Sequence, residues 1–133
     1  MDNTSRNHSK YLLMAHLIFV CKYRKKLLTK FGSEIKQLFL DIAEENDLII
    51  VEMEVDKDHI HLLVQYNPIQ SIMEIVRRFK QISTYRIWRQ NNNHIVLNKH
   101  FWVEKTFWSD GYFACSIGNV SQETIRKYIE NHG

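Results

Sequence analysis

The stretch EVDKDHIHLLVQY, residues 54–66, contains the pattern that decides the fold. Polar and apolar residues alternate up to Val55, the turn-forming residues DKD follow, and a second apolar run begins at His59. Two strand patterns joined by a short turn predict a β-hairpin. Its strands are predicted over residues 48–55 and 59–66.

Two histidines, His59 and His61, stand one residue apart in the second strand of this hairpin. Because the side chains of a strand alternate between its two faces, both imidazoles point away from the helix-covered core. The residues that alternate with them and face the core are Ile60, Leu62 and Val64. Imidazoles at positions i and i+2 are spaced to chelate one divalent ion when a third ligand and water complete the shell. The alternative is a pair of half-exposed histidines bonded to acids such as Glu52 or Glu54.

The remaining sequence predicts two further strands and three helices around the hairpin. Apolar runs predict the strands, over residues 11–21 and 107–117. Apolar residues at helical spacing predict the helices, over residues 31–46, 69–90 and 121–131, the last of them capped by Ser121. Turn-forming residues open the segment 91–105, which predicts an irregular loop there.

The order of the predicted elements is β-α-β-β-α-β followed by a terminal helix. This is the split βαβ arrangement of the α+β class, also called ferredoxin-like or RRM-like, in which helices cover one face of a four-stranded antiparallel sheet. Nothing in the chain marks a domain boundary, so we expect a single domain over residues 1–133. The same scaffold serves RNA-recognition domains and many enzymes, so the fold alone does not define a function.

The composition excludes several classes of protein. Hydrophobic residues make up 44% of the chain and charged residues 25%, as in ordinary soluble globular proteins. No apolar run reaches the roughly 18 residues of a membrane span, so we expect no membrane association. The chain has no glycine-rich phosphate loop, so we expect no nucleotide cofactor. Cys21 and Cys115 have neither metal-binding nor redox spacing, and we expect them to be reduced in a cytoplasmic protein.

The net charge of +3 is unevenly distributed along the chain. Residues 1–30 carry seven basic side chains against one acidic, and residues 67–105 carry seven against two. The intervening residues 31–66 carry two basic against nine acidic side chains. Two basic segments of this kind can form a surface for an anionic polymer. The alternative is ordinary solvated surface charge.

The last predicted helix, SQETIRKYIENHG over residues 121–133, carries a tyrosine and a histidine four residues apart. At about 100° per residue, Ile125 and Ile129 form its buried stripe, and Tyr128 and His132 lie side by side on its flank. A tyrosine in such a position is more often a core-margin aromatic with a satisfied hydroxyl group. Together with the histidine pair, however, it forms a candidate catalytic constellation.

Several segments of the chain match one family in combination and in order. They are HLIFVCKYRKKLL at 16–28, VDKDHIHLLV at 55–64, IVRRFKQISTYRIWR at 75–89, FWSDGYFACSIG at 107–118 and YIENH at 128–132. In these segments the chain resembles the small single-tyrosine HUH (histidine–hydrophobic–histidine) transposases of insertion sequences, the IS200-like or TnpA-type family. The resemblance extends along nearly the whole chain.

The resemblance implies a role for each residue of the constellation. His59 and His61 would be metal ligands, and Tyr128, on the C-terminal helix, would be the nucleophile. The family usually has a glutamine as third ligand four residues after the tyrosine, and here that position is His132. The implied cofactor is Mg²⁺ or Mn²⁺, although three imidazoles would also suit softer ions such as Ni²⁺ or Zn²⁺.

The resemblance also implies a reaction and its partners. The tyrosine would attack a phosphate of single-stranded DNA in line, giving a 5′-phosphotyrosine and a free 3′-hydroxyl group. A different 3′-hydroxyl group could then reverse the step, so the enzyme would cut and rejoin DNA at insertion-sequence ends near hairpins. The family implies a homodimer, in which the tyrosine helix meets the histidine pair in cis or in trans.

Two sets of residues are predicted to contact the DNA. The turn after the first strand contributes Lys22, Tyr23, Arg24, Lys25 and Lys26. The second long helix contributes Arg77, Arg78, Lys80, Arg86 and Arg89. For a further aromatic group, core or dimer packing is favoured over stacking on unpaired bases: Trp102, Trp108, Tyr112 and Phe113.

Three other functions fit the same residues. The first is a non-catalytic domain that binds DNA or RNA hairpins, with the tyrosine incidental. The second is a domesticated relative that processes repeated genomic palindromes by the same chemistry. The third is a metal-dependent hydrolase that uses water in place of the tyrosine and forms no covalent adduct.

Overall fold

The computed structural model of the protein describes residues 13–116 and 122–131, with side chains from Arg126 onward in the second range. The strands are β1 (Leu13–Val20), β2 (Ile49–Val55), β3 (His59–Tyr66) and β4 (Phe113–Ser116). The helices are α1 (Leu28–Glu45), α2 (Ile72–Arg89), α3 (Asn93–His100) and α4 (Gln122–Asn131). A short 3₁₀ turn, Lys22–Arg24, follows β1. The predicted α+β class is confirmed.

The strands form one antiparallel sheet in the order β2-β3-β1-β4. The predicted hairpin is present: Val55 lies opposite Ile60, and the backbone N–H of Asp56 donates to the carbonyl oxygen of His59 at 2.9 Å. β1 then pairs with β3 over the full length of both strands. The strand that carries the histidine pair is therefore central in the sheet, where its position is fixed from both sides.

Helices α1 and α2 pack on one face of the sheet through a group of aromatic rings. The Phe19 ring of β1 lies 5.8 Å from the Phe39 ring of α1 and 6.2 Å from the Phe79 ring of α2. Phe39 and Phe79 stack on each other with centroids 4.9 Å apart. Such pairs contribute about 0.5–1.5 kcal/mol each beyond the burial of their area. Ile60 and Leu62 of β3 are fully buried on the same side, as predicted.

The two long helices begin where hydrogen bonds place them, and the apolar periodicity does not reveal these bonds. α1 begins at Leu28, three residues before the predicted start, and the Leu28 N–H donates to the carbonyl oxygen of Lys57 in the hairpin turn at 2.9 Å. α2 begins after Ser71, whose hydroxyl oxygen accepts the N–H of Glu74 at 3.1 Å. This N-cap shortens the predicted helix by three residues.

The prediction of an irregular loop over residues 91–105 is wrong for more than half of them, because Asn93–His100 form α3. α3 has no continuous apolar stripe, so no periodicity indicates it. Two tertiary contacts stabilise it: Leu97 is fully buried, and the Asn93 side-chain amide donates to the carbonyl oxygen of Ile87 at 3.0 Å. The two residues before it, Asn91 and Asn92, have left-handed backbone angles that asparagine tolerates.

The predicted strand 107–117 is shorter than expected, since only β4 is regular and residue 117 lies outside the described part. Phe107 and Trp108 are buried in the core, and Trp108 makes a single bridge to Cys21. The Trp108 indole N–H donates to the Ser83 hydroxyl oxygen at 2.9 Å. Phe107 and Trp108 are therefore apolar mainly because they pack in the core, where Trp108 contacts α2, and not because they belong to a regular strand. Among the described helices, none is long and apolar enough to cross a bilayer.

Candidate active site

The sheet face opposite α1 and α2 carries the histidine pair. The register places Ile18 of β1 directly opposite His61, and it places Val20 opposite His59. Residues directly opposite each other in antiparallel strands share a face. Ile18 and Val20 are nevertheless 0% and 1% exposed, so the sheet face that the two helices leave uncovered is closed off from solvent at these positions.

Helix α4 lies over part of this face. Phe113 of β4 pairs with Ile18 and so shares its face, and the Tyr128 ring of α4 packs on Phe113 with centroids 5.2 Å apart. The Arg24 guanidinium group donates to the carbonyl oxygen of Glu130 at 3.4 Å. The helix that carries the predicted nucleophile thus lies beside the histidines of its own chain.

Sheet and helix enclose a cavity of about 640 Å³ between them. The sheet side contributes three histidines and a set of acids, and α4 contributes its last turns. The lining residues are His16, Arg24, Glu52, Glu54, Asp56, Asp58, His59, His61, Leu63, Arg126, Ile129 and Glu130. The cavity is therefore rich in groups that bind cations, and it also contains two arginines.

The imidazole of His59 is held by a carboxylate. Its Nδ1 atom lies 3.0 Å from an Asp58 oxygen, and the other oxygen of Asp58 accepts the Arg24 guanidinium at 3.1 Å. Burial alone would raise the pKa of Asp58, but the bonds from His59 and Arg24 bring it below its usual value. An ionised Asp58 selects the tautomer with hydrogen on Nδ1 and leaves Nε2 as the donor atom, the arrangement typical of metal-binding histidines.

The imidazole of His61 is paired with a third histidine. Its Nε2 atom lies 2.9 Å from Nδ1 of His16, and the two ring centroids are 5.1 Å apart. Burial, and next the neighbouring His16, lower the pKa of His61, while Glu54 opposes this shift. His61 is consequently neutral at pH 7, as a metal ligand must be. The alternative, in which acids bond the histidines, applies to His59, although its acid is Asp58 and not Glu52 or Glu54; His61 is bonded to His16 instead.

His16 was missed by the sequence analysis. It stands in the apolar run of β1, where one polar residue among branched side chains is the signal that could have identified it. Its alternation with Ala15 and Leu17, both buried, places it on the histidine face. Its contact with His61 depends on the register between β1 and β3, which the sequence does not reveal.

The third metal ligand stays a prediction. His132, which the resemblance suggests, lies outside the described residues. Over residues 13–116 and 126–131, no three histidine, cysteine, aspartate or glutamate side chains are grouped so that they could hold a metal ion. The nitrogen atoms left to bind a divalent ion are Nε2 of His59 and Nδ1 of His61, because Asp58 and His16 contact the other nitrogen of each ring. Both rings line the cavity.

Tyr128 does not face the histidines in this arrangement. From its helix the cavity is lined by Arg126, Ile129 and Glu130, whereas the Tyr128 ring packs on Phe113. Burial, with a smaller effect of Tyr112, raises the pKa of Tyr128 to about 12. Its hydroxyl group is thus protonated at neutral pH. Ile129, predicted to be buried, is half-buried and lines the cavity, and the side chain of residue 125 is outside the described part.

The cations predicted to contact DNA fall into two places. The Lys22 ammonium group lies by Asp110 at 3.2 Å, Arg24 by Asp58, and the Lys25 ammonium group 5.9 Å from the centre of the Phe101 ring. This first set borders the histidine cavity through Arg24. The second set lies on α2, behind the sheet. There Arg86 makes two hydrogen bonds to Glu45, and Arg78 donates to Glu74 and Asn46. The Lys80 ammonium group donates to the carbonyl oxygens of residues 109–111. Arg77 lies beside Met73.

The helix side also has a basic groove that the sequence analysis did not identify. It encloses about 710 Å³ between α2, α3 and the segment 105–110. The Arg89 guanidinium lies 4.3 Å from the centre of the Tyr85 ring. Other residues of the groove are Lys80, Trp88, His94, Asn98, Lys105 and Trp108. One of its walls is α3, which has no continuous apolar stripe, and this explains why no sequence pattern predicts the groove.

Comparisons with known proteins agree on one family. The sequence model of the family described as "Transposase IS200 like" matches residues 9–132. The ISDra2 transposase TnpA of Deinococcus radiodurans is 32% identical over 122 residues, which cover 91% of this chain and 84% of that protein. The transposase for insertion sequence element IS200 of Salmonella typhimurium is 24% identical over 133 residues, covering 98% of this chain and 83% of the relative.

Solved structures agree with this result. A candidate transposase of Deinococcus radiodurans superposes with a TM-score of 0.79 and 30% identity, covering 90% of this chain and 89% of that one. A REP-associated tyrosine transposase bound to a REP hairpin superposes with a TM-score of 0.57 and 13% identity, covering 90% of this chain and 65% of the other. At that identity the second likeness concerns the fold alone.

Proposed function

The chain belongs to the IS200-like transposases, and from this we propose that it cuts and rejoins single-stranded DNA through Tyr128 at a divalent metal ion held by His59 and His61. The observation that supports the proposal best is the cavity between the sheet and α4. The imidazoles of His59 and His61 line one wall of it, and the helix that forms the other wall carries the tyrosine. This activity would take place in the cytoplasm, where Cys21 and Cys115 stay reduced.

The metal ion, Mg²⁺ or Mn²⁺, would polarise the scissile phosphate and stabilise the charge that develops on it. Asp58 keeps His59 in the tautomer that presents Nε2, and His16 orients the ring of His61. Arg24 and Arg126, which line the cavity, would attract the phosphate chain. His132 is the proposed third ligand, and with three imidazoles the softer ions Ni²⁺ and Zn²⁺ would also bind.

Tyr128 would attack the phosphorus atom with its hydroxyl oxygen. A P–O bond to tyrosine forms, the bond to the 3′-oxygen breaks, and the proton lost by tyrosine is balanced by the proton gained by the 3′-hydroxyl group. Because the ring packs on Phe113, attack requires α4 to turn or to be exchanged. Exchange with a second subunit would place the tyrosine in trans. β4 is an edge strand of the sheet and could pair with its copy to form such a homodimer.

We propose that hairpin DNA is held on the helix side of the molecule. The solved REP-associated transposase binds a hairpin. In this chain α2 exposes basic residues behind the sheet, and the basic groove between α2 and α3 lies on the same side. A hairpin held there leaves the histidine cavity free for the single strand that is cut. Phosphate contacts of this kind make the affinity fall steeply with salt.

The experiment that tests the proposal is covalent capture on a denaturing gel. The purified protein is incubated with a labelled single-stranded oligonucleotide that carries an insertion-sequence end and its hairpin, with Mn²⁺ or Mg²⁺. We expect a shifted band that resists denaturant, needs the metal and disappears with Tyr128→Phe or with His59→Ala combined with His61→Ala. Tyr66→Phe is the matched control, since Tyr66 packs against the core on the helix-covered face of β3, lines neither the cavity nor the basic groove, and should leave the band intact.

Two results would contradict the proposal. Cleavage that persists in Tyr128→Phe, without a covalent band, would indicate a hydrolase that uses water. Retention of the hairpin on a native gel with no cleavage, across several metals and cleavage-site sequences, would indicate a hairpin-binding protein. A domesticated relative would give the same covalent band, and the DNA sequence that surrounds the gene distinguishes it from a mobile element.

A further inference from the structure

The turn after β1 has an unusual backbone. Tyr23 and Arg24 are consecutive, neither is glycine, and both have left-handed φ angles, 59° and 54°. Side chains other than glycine rarely adopt this conformation, which is energetically unfavourable and concentrates at functional sites. The turn is held on both sides by backbone bonds: the Lys22 N–H donates to the Phe107 carbonyl oxygen at 2.9 Å and the Arg24 N–H to the Cys21 carbonyl oxygen at 2.8 Å.

The strained turn presents the Tyr23 ring to solvent, close to Phe101 in the segment that follows α3. The Tyr23 side chain is 63% exposed, and its ring centroid lies 6.5 Å from that of Phe101, which is buried. The next residue along the chain, Trp102, is 84% exposed. We call these three residues the aromatic patch. Of the predicted aromatic cluster, Trp108 packs in the core as expected, whereas Trp102 does not.

Cations surround the aromatic patch. The Lys22 ammonium group lies 5.5 Å from the centre of the Tyr23 ring, and that of Lys25 lies 5.9 Å from the centre of the Phe101 ring. The described acids nearby are Asp110, which is bonded to Lys22, and Glu104. The exposed Tyr23 ring, with an ammonium group over it, is complementary to a ligand that has both flat apolar faces and negative charge.

The patch adjoins the histidine cavity. Arg24, which lines that cavity and bonds Asp58, is the residue next to Tyr23. A strand of DNA bound in the cavity would pass over the turn as it leaves. A second copy of this chain fits the patch less well, because its own patch would bring the same lysines against these.

We propose that Tyr23 and Trp102 form a stacking platform for unpaired bases of the single strand, on the path that leads into the histidine cavity. The platform rests on the proposed function and extends it to the DNA beside the cleaved phosphate. Every base has an aromatic face, so stacking tolerates any sequence, and alanine substitution at a true stacking position lowers affinity by about 5- to 100-fold per base. Lys22 and Lys25 would bind the flanking phosphates.

Fluorescence of the intact protein tests the platform directly. Trp88 and Trp108 are 5% and 3% exposed, so Trp102 is the described tryptophan that bases can reach. Titration with an oligonucleotide that has no hairpin, such as a short run of thymidines, should quench the emission, and Trp102→Phe should abolish the quenching. Equal quenching in Trp102→Phe would overturn the assignment of Trp102.

Affinity for the same oligonucleotide tests both aromatic residues. Tyr23→Ala and Trp102→Ala should each weaken binding by 5-fold or more, while Tyr23→Phe and Trp102→Phe keep a ring and should bind within 2-fold of the parent protein. Ile69→Ala is the control, because Ile69 is 90% exposed and apolar but remote from the turn. Unchanged affinity in both alanine variants would overturn the proposal. Sedimentation velocity adds a second check, since conversion of a dimer to monomers by Trp102→Ala would make the patch a contact between copies.

The test of the stacking platform can fail or succeed independently of the test of the proposed cleavage chemistry. Stacking is measured at equilibrium without metal, and the covalent band needs both metal and Tyr128. A covalent band in a protein whose alanine variants bind normally would reject the platform alone. Ring-dependent binding in a protein that forms no covalent band would reject the chemistry and keep the platform.

Discussion

The Nδ1 atom of His16 and the Nε2 atom of His61 lie 2.9 Å apart on neighbouring strands of the sheet. A hydrogen bond between two imidazole nitrogens needs one donor and one acceptor, so at least one of the two rings must be neutral. The pair thus couples the protonation of the candidate metal ligand to the stability of the sheet. His59 is held differently, by the Asp58 carboxylate.

Acid should destabilise the protein through His61. Burial and His16 lower its pKa below the ordinary value, so the unfolded chain takes up a proton that the folded protein resists. Stability is therefore complete above about pH 6.5 and declines as the pH falls from there toward the lower folded pKa. One such proton contributes at most ~1.4 kcal/mol per pH unit, and less here because solvent screens a half-exposed group.

Urea denaturation between pH 7.5 and 5 measures this effect. The free energy of unfolding should decline less steeply in His61→Gln than in the parent protein, since the variant lacks the group that resists protonation. Parallel declines in the two proteins would show that the His16–His61 pair does not control the acid sensitivity.

Asp58→Asn should weaken metal binding by about 10- to 100-fold, because the anion that holds the His59 tautomer is lost. Asp56→Asn is a matched control: Asp56 lines the same cavity, but its carboxylate accepts the N–H of Lys57 rather than a bond from His59. Calorimetric titration with Mn²⁺ measures both. Equal losses in the two variants would mean that the charge of the cavity, and not the orientation of His59, sets the affinity.

Arg24→Ala should loosen α4 from the sheet. Arg24 joins Asp58 to the carbonyl oxygen of Glu130, so its removal deletes a link between the hairpin turn and the end of the helix. We expect faster amide hydrogen exchange over residues 122–131 and a loss of global stability below about 1 kcal/mol. Arg86→Ala, which breaks the exposed pair with Glu45 behind the sheet, should leave that exchange unchanged.

Phe113→Ala should release Tyr128. The ring contact between the two residues contributes to the burial that raises the pKa of Tyr128 to about 12. Without it the pKa should fall toward the ordinary value near 10. Titration of tyrosines labelled with ¹³C at Cζ, assigned with Tyr128→Phe, follows this group alone. A pKa that stays near 12 in Phe113→Ala would show that other groups bury the tyrosine.

Ser83→Ala should destabilise the core by about 1–3 kcal/mol, because the buried indole N–H of Trp108 loses its acceptor. Thr84→Ala changes the neighbouring residue of α2 and should change the free energy of unfolding by less than about 0.5 kcal/mol. Thermal and urea denaturation compare the two variants. Similar stability in both would indicate that Trp108 finds another partner.

Most of the fold was predictable because its signals are local. The hairpin, the two long helices and the burial of Ile60 and Leu62 follow from periodicities of two and 3.6 residues. α3 was not predictable, since Asn93 and Leu97 are held by tertiary contacts and by no apolar stripe. β4 is shorter than predicted for a related reason. Trp108 is buried in the core, and a short apolar run that packs in the core cannot be distinguished from a strand by its sequence.

By itself the sequence determined that His59 and His61 share one face of a strand, because alternation is a property of the backbone alone. It also determined the family, through motifs that keep their order along the chain. Only the tertiary structure decided that His16 meets His61, that Asp58 holds His59, and that Tyr128 packs on Phe113 beside the cavity. These contacts join residues of different strands and helices. They depend on strand register and on the position of α4 on the sheet. Both are set by the packing of the whole domain and not by any local pattern.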